Sequence, residues 1–168
     1  MEKANNWIEL LNLKSHPEGG HFKEMYRSPE EIPNSALPKR FSGDRCFSTS
    51  IYFLLKGKEF SAFHRIKQDE IWHFYDGSSL TIHVINPMGQ YSTLKLGREI
   101  NQGETFQTIV TEGCWFAASV NQQESFSLVG CTVAPGFDFE DFEMADPVLL
   151  KREYPEHDKI IEKFTLKP

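Results

Sequence analysis

FHRIKQDEIWHF, residues 63–74, sets a histidine, an aspartate, a glutamate and a second histidine into two short strand-like runs joined by the polar turn Lys67-Gln68-Asp69. Residues two apart on a strand share a face. Ala62, His64 and Ile66 therefore lie together, and beyond the turn so do Glu70, Trp72 and Phe74. Trp72 and Phe74 require burial, which turns His64 and Glu70 inward and leaves Arg65, Ile71, His73 and Tyr75 on the opposite face. A carboxylate among aromatic rings loses its hydration and calls for a partner. His64 is the nearest one in sequence. Alternation alone leaves a structural hydrogen bond, or a solvated position for both groups, equally open.

The same pattern extends in both directions. FSTSIYFLL, SAFHRI, EIWHFY, LTIHVI, YSTLKL, TFQTIV, CWFAAS and FSLVGCTV are short apolar runs, most of them separated by Gly, Pro, Asn, Asp or Ser. Strands in regular succession without intervening helices predict a β-sandwich or barrel, and a chain of this length favours a jelly roll. Upstream, KANNWIELLNL (3–13) has helical spacing of Trp7, Ile8, Leu10 and Leu11. HPEGG (16–20) is turn chemistry and FKEMYRS (22–28) a strand. Residues 29–45 carry three prolines and no apolar period, and read as a long loop. The segment 134–164 alternates acidic and aromatic residues and reads as irregular, with a short helix at 155–163. The expectation is an all-β jelly roll forming one domain over 1–168, with a core barrel at about 20–135, a short N-terminal helix and an irregular C-terminal extension at 136–168.

The formal charge of −6, from 18 Lys+Arg against 24 Asp+Glu, comes without a basic block longer than Lys39-Arg40. A phosphate-backbone partner is excluded on that ground. Cys46, Cys114 and Cys131 are odd in number and lack metal or redox spacing, which points to a reducing compartment. No apolar run approaches the length of a membrane span, and the N-terminus lacks the apolar core of a signal peptide. The expectation is a cytoplasmic protein without nucleic-acid or membrane partners.

His64, Glu70 and Gly77 match H-x5-E-x6-G, which resembles the first motif of the cupin superfamily. That motif usually has a second histidine where Ile66 stands. The superfamily's second motif falls on Thr111-Glu112-Gly113-Cys114-Trp115-Phe116, where Phe116 replaces the metal-binding histidine. HPEGGHFKEMYRS, STSIYFLL, FHRIKQDEIWHFYDG, GCWFAA and LVGCTVAPGFDFEDFEMAD together resemble the fifth cupin family, a domain of unknown function similar in fold to dTDP-sugar epimerases. The resemblance implies a double-stranded β-helix jelly roll, or cupin barrel, a ligand pocket in the barrel mouth, and a homodimer. Two of the four usual ligand positions are apolar, so no resident metal or other cofactor is expected, beyond a weak divalent ion at His64 and Glu70.

His64 and Glu70 are the candidate proton-transfer pair, with Tyr52, or else Tyr26, as hydroxyl donor opposite them. Glu24, Tyr26, Ser50, His73, Trp115 and Phe116 are the candidate ligand-binding residues. Ser48, Ser50 and Tyr52 share one strand face, and a hydroxyl-lined face suits a sugar or phosphate. Trp115 and Phe116 also read as ordinary jelly-roll filling. His16 reads as a surface or turn residue and His83 as exposed, while His21 and His157 carry no signal. Two functions fit: an isomerase, epimerase or lyase acting on a small polar metabolite of the sugar or nucleotide-sugar kind, or a ligand-binding module without chemistry. The homodimer is expected to use the FKEMYRS strand, whose edge with Phe22 and Met25 needs cover.

Overall fold

The computed structural model describes residues 2–166. In chain order the first strands are β1 (Lys14–Ser15), β2 (His21–Arg27), β3 (Glu31–Ile32), β4 (Arg45–Cys46), β5 (Thr49–Lys56) and β6 (Phe60–Arg65). They are followed by β7 (Asp69–Gly77), β8 (Leu80–Ile85), β9 (Tyr91–Leu96), β10 (Gln107–Val110), β11 (Trp115–Val120), β12 (Phe126–Ala134) and β13 (Glu143–Met144). Helices α1 (Glu2–Leu11), α2 (Pro147–Glu153) and α3 (Asp158–Lys163) lie at the two ends of the chain. Among the described residues no helix is long and apolar enough to cross a membrane.

One sheet has the order β1-β2-β5-β12-β7-β10 and the other β13-β6-β11-β8-β9. Their inner faces share one core, in which Phe53, Trp72, Val129 and Cys131 of the first sheet meet Ile82, Val84, Phe116 and Ala118 of the second. This is the expected jelly-roll architecture, with one correction: the sheets face each other as a sandwich and do not close into a barrel.

The register explains which side chains enter. β12 pairs Val133 with Glu70, Cys131 with Trp72 and Val129 with Phe74. On its other side it pairs Val133 with Thr49, Cys131 with Ile51 and Val129 with Phe53. Directly paired residues share a face, so Thr49, Ile51 and Phe53 point the same way as Glu70. Ser50 and Tyr52 point the other way. On that outer face Leu54 and Leu128 are covered by α1 through Ala4 and the half-buried Trp7, Ile8 and Leu11. The helix stops at Leu11 because Asn12 takes a φ of 54°, a left-handed conformation that asparagine tolerates.

Two other expectations need correction. Residues 29–45 are not a structureless loop: β3 pairs with β4, and a 3-10 turn at Asn34–Ala36 is tied by the Asn34 side chain to the carbonyls of Phe41 and Gly43. The C-terminal extension is not irregular either. Asp146 caps α2 by accepting from the amides of Val148 and Leu149, with Pro147 opening the helix. Leu150, Tyr154, Ile161 and Phe164 then cover Phe63, Ile85, Trp115 and Ala117 on the outer face of the second sheet.

Candidate functional site

A cavity of about 80 Å³ opens between the inner face of β2-β5-β12-β7, the end of β6, the HPEGG turn and residues 137–142. His64 and Glu70 both line it, together with His16 and Glu18. The turn that delivers the last two depends on glycine. Gly19 has a φ of 111°, and a Cβ there would lie 2.3 Å from the Phe60 carbonyl oxygen. Glu18 is carried inward by this turn and is fixed by its carbonyl, which accepts from the Ala62 amide at 2.8 Å.

The hydrogen bonds around Glu18 define where protons sit. The Nδ1 of His64 lies 2.7 Å from the Ala62 carbonyl oxygen, which can only accept, so Nδ1 carries the hydrogen. The other ring nitrogen, Nε2, lies 3.2 Å from Oε2 of Glu18. Ser61 donates to Oε1 of Glu18 at 2.8 Å, and the Glu18 amide donates to Nδ1 of His16 at 3.3 Å. Burial pushes the Glu18 carboxyl up, against the opposing charge of His16 and the Ser61 hydrogen bond. Burial likewise lowers His64, against the charge of Glu70 and the Ala62 carbonyl, and it lowers His16. Both shifts favour one arrangement, a protonated Glu18 donating to a neutral His64.

Glu70 sits in the same cavity with 8 % of its surface exposed. Burial raises its pKa to about 7, with the His64 charge opposing and the Glu18 charge adding. The Cys131 thiol of β12 lines the same cavity, and burial together with the Glu70 charge pushes its pKa well up. At the mouth, Arg27 forms a two-point pair with Glu24, with Nε to Oε1 at 3.2 Å and Nη2 to Oε2 at 2.8 Å, and donates from Nη1 to the Phe137 carbonyl at 3.1 Å.

Phe137, Phe139 and Phe142 form the outer wall. Their rings are mutually near-perpendicular, at 80°, 72° and 76°, with centroids 5.1 to 6.2 Å apart. The segment carrying them is anchored by Asp141, which accepts from Arg45 at 2.6 and 2.7 Å and from Gln68 at 2.8 Å, with Lys67 at 3.2 Å. Arg45 and Asp141 are both buried.

Of the residues singled out from sequence, His64, Glu70 and Glu24 reach this cavity. Tyr52, Ser50, Tyr26 and His73 do not. Tyr52 and Ser50 stand on the outer face, Tyr52 edge-on to Tyr75 at 5.7 Å, so the hydroxyl-lined face is not the cavity face. Tyr26 was expected beside Glu24, but a register shift between Glu24 and Tyr26 breaks the alternation. Tyr26 then pairs with the outward Ser50, and Arg27 with the inward Thr49. His73 bonds Thr132 at 3.0 Å and accepts from Gln107 at 3.1 Å, away from Glu70. Trp115 faces the C-terminal helices with Arg65 4.4 Å over its ring. Phe116 is core, its ring centroid 4.1 Å from that of His64.

His16 is a correction in the other direction. Its side chain is 7 % exposed and belongs to the site, not to the surface. His83 is likewise not simply exposed. It stacks on Phe164 at 4.5 Å and Tyr91 at 6.2 Å, and burial lowers its pKa to about 4. Glu18, Arg27 and Phe22 also escaped the sequence reading. Phe22 lines the cavity instead of lying on an open edge. β2 is paired with β5 along its length and with β1 only at His21 and Phe22.

The residues do not fit the metal that the cupin motif implies. Among the described residues no group of three or more His, Cys, Asp or Glu side chains is placed to hold an ion. His64 commits Nδ1 to Ala62 and Nε2 to Glu18, while buried Ile66 and Phe116 occupy the two other motif positions.

A family model described as cupin superfamily (DUF985) matches residues 5–145. The chain is 33 % identical over 152 residues to the uncharacterized protein YML079W of Saccharomyces cerevisiae, covering 83 % of this chain and 75 % of that one. It is similar to the crystal structure of protein SO0799 from Shewanella oneidensis, with a TM-score of 0.88 at 41 % identity, over 98 % of both chains. Oxalate decarboxylase from Bacillus subtilis shares the fold alone, with a TM-score of 0.55 at 12 % identity, over 92 % of this chain and 37 % of that one.

Proposed function

The chain belongs to the cupin superfamily, in its DUF985 family, and on that premise we propose that it binds a small polar metabolite in the cavity and moves protons on it. The observation that carries this reading is a pair of buried carboxyl groups in different surroundings on one cavity. Glu18, pushed up by burial, lies 3.2 Å from Nε2 of His64, while Glu70 is raised by burial to about 7. Carboxyl groups raised toward neutrality beside a histidine are the makings of an acid and a base at neutral pH.

In this reading Glu70 takes a proton from carbon next to a ligand carbonyl. The C–H electron pair moves toward the carbonyl oxygen, which takes a proton from the Glu18–His64 pair. Returning the proton to either carbon or either face gives isomerase or epimerase chemistry, and loss of a leaving group from the same intermediate gives a lyase. No tyrosine converges on Glu70, so Glu18 takes the acid role first assigned to Tyr52. A cavity of about 80 Å³ is small beside the ~300–1,000 Å³ of sites that enclose drug-sized ligands, which favours a compound smaller than a nucleotide sugar.

The test is proton NMR in heavy water of small hydroxy- and amino-carbonyl compounds with the wild type, Glu70→Gln and His64→Ala. Deuterium uptake next to a carbonyl, lost in both variants, is expected. Binding without any uptake would favour the non-catalytic module, a reading supported by the mainly apolar walls. A homodimer belongs to the same proposal, because among the described residues no strand pairs with the outer edge of residues 23–27 of β2, and Met25 is exposed. Sedimentation at micromolar concentration tests it.

A further inference from the structure

The charge balance of the cavity is uneven. Three carboxyl groups, Glu18, Glu24 and Glu70, line it, and both neighbouring histidines are pushed toward the neutral form by burial. The one guanidinium at its mouth, Arg27, is already engaged at two points by Glu24. The Glu70 carboxylate is thus buried beside a thiol, and among the described residues that line its cavity no cation is left unengaged. Such a group is costly to ionise unless something brings a positive charge.

The wall of the same cavity has the matching chemistry. Three phenyl rings set nearly at right angles make a corner there, and an organic cation is attracted to the face of an aromatic ring. A neutral sugar would bring no positive charge to Glu70. An anion would meet the Glu70 carboxylate. We propose that the ligand carries a small organic cation, an alkylammonium head, seated between Glu70 and the corner formed by Phe137, Phe139 and Phe142. This rests on reading the cavity as the ligand site and adds the class of compound it takes.

The groups facing Glu70 are His16 and Glu18 from the turn, Glu24 and Arg27 from β2, His64 from β6 and Cys131 from β12. Among them Glu70 is the group poised at about 7. Cation binding should therefore weaken as the solution is acidified through neutrality.

The experiment is calorimetric titration, with NMR shift mapping, of the full chain with choline and with dimethylbutanol, its uncharged isostere. It is run on the wild type, Glu70→Gln and Phe142→Leu, each checked for a native thermal transition. Choline is expected to bind at least about tenfold more tightly than the isostere. That preference should collapse in Glu70→Gln and diminish in Phe142→Leu. Equal binding of both probes, with cavity signals moving, would overturn the cation proposal and leave the cavity as the ligand site. Choline binding unaffected by either substitution, or displaced by manganese(II), would overturn it as well. If no probe moves the cavity signals, the cation proposal falls, and absence of deuterium uptake in the earlier test would take the catalytic reading with it.

Discussion

Replacing Glu70 by glutamine tests the electrostatics of the site through stability. The folded protein holds the Glu70 proton up to about pH 7, whereas an exposed glutamate releases it near the ordinary value of 4.5. Between those values the folded state binds more protons than the unfolded state, so this group's contribution falls as pH rises and is flat above about 7. The interval of about 2.5 pH units, at about 1.36 kcal/mol each, corresponds to about 3 kcal/mol. Glutamine keeps the shape and removes the titration. His16 and His64, lowered by burial, add stability as pH rises toward 6.5, and Glu18, raised by burial, subtracts it. The informative quantity is therefore the difference between variant and wild type. Urea denaturation at about pH 4.5 and about pH 8 should show Glu70→Gln gaining about 3 kcal/mol on the wild type between the two conditions. A difference that does not change with pH would refute a buried, proton-holding Glu70.

Asp141→Asn should cost about 3–5 kcal/mol in urea denaturation, because it leaves buried Arg45 with only the exposed Glu140 carboxylate, 3.6 Å away, as counter-charge, and should loosen the wall carrying Phe139 and Phe142. Although burial pushes Asp141 up, its hydrogen bonds from Arg45, Lys67 and Gln68 hold it below its usual 3.8; its contribution is present above that value and lost as pH falls through the lower folded value, which acid unfolding of wild type and variant will compare. Tyr52→Phe should leave ligand binding in the cavity unchanged within about twofold, since outer-face substitutions away from the site act within about 0.5 kcal/mol; a large loss by calorimetry would return Tyr52 to the site.

Much of the sheet framework was legible because period-two alternation is a direct record of burial. β8 and β9 coincide with LTIHVI and YSTLKL, and the inward placement of His64 and Glu70 followed from Trp72 and Phe74. The site was legible only where it lies on regular strands. Glu18 enters from a glycine turn, where alternation does not apply, although the pair Gly19-Gly20 after it signalled a backbone brought close to another chain segment. Arg27 was hidden by a one-residue bulge that no local pattern announces. Tyr52 was misplaced because its strand has apolar residues on both faces, one covering the core and the other receiving α1. Phe137, Phe139 and Phe142 lie in the segment read as irregular, and their destination depends on Asp141 meeting Arg45, 96 residues away in sequence.

The acid and base roles depend on where the proton sits between Glu18 and His64. Nitrogen-15 NMR of the histidine ring nitrogens, followed through the pH range in which a free histidine near 6.5 titrates, observes that directly. The prediction is a neutral His64 at neutral pH, with hydrogen on Nδ1 and Nε2 accepting, and no conversion to imidazolium at 6.5. An imidazolium at neutral pH, titrating like a free histidine or held by an ionised Glu18, would contradict the acid and base assignment on which the proposed function stands.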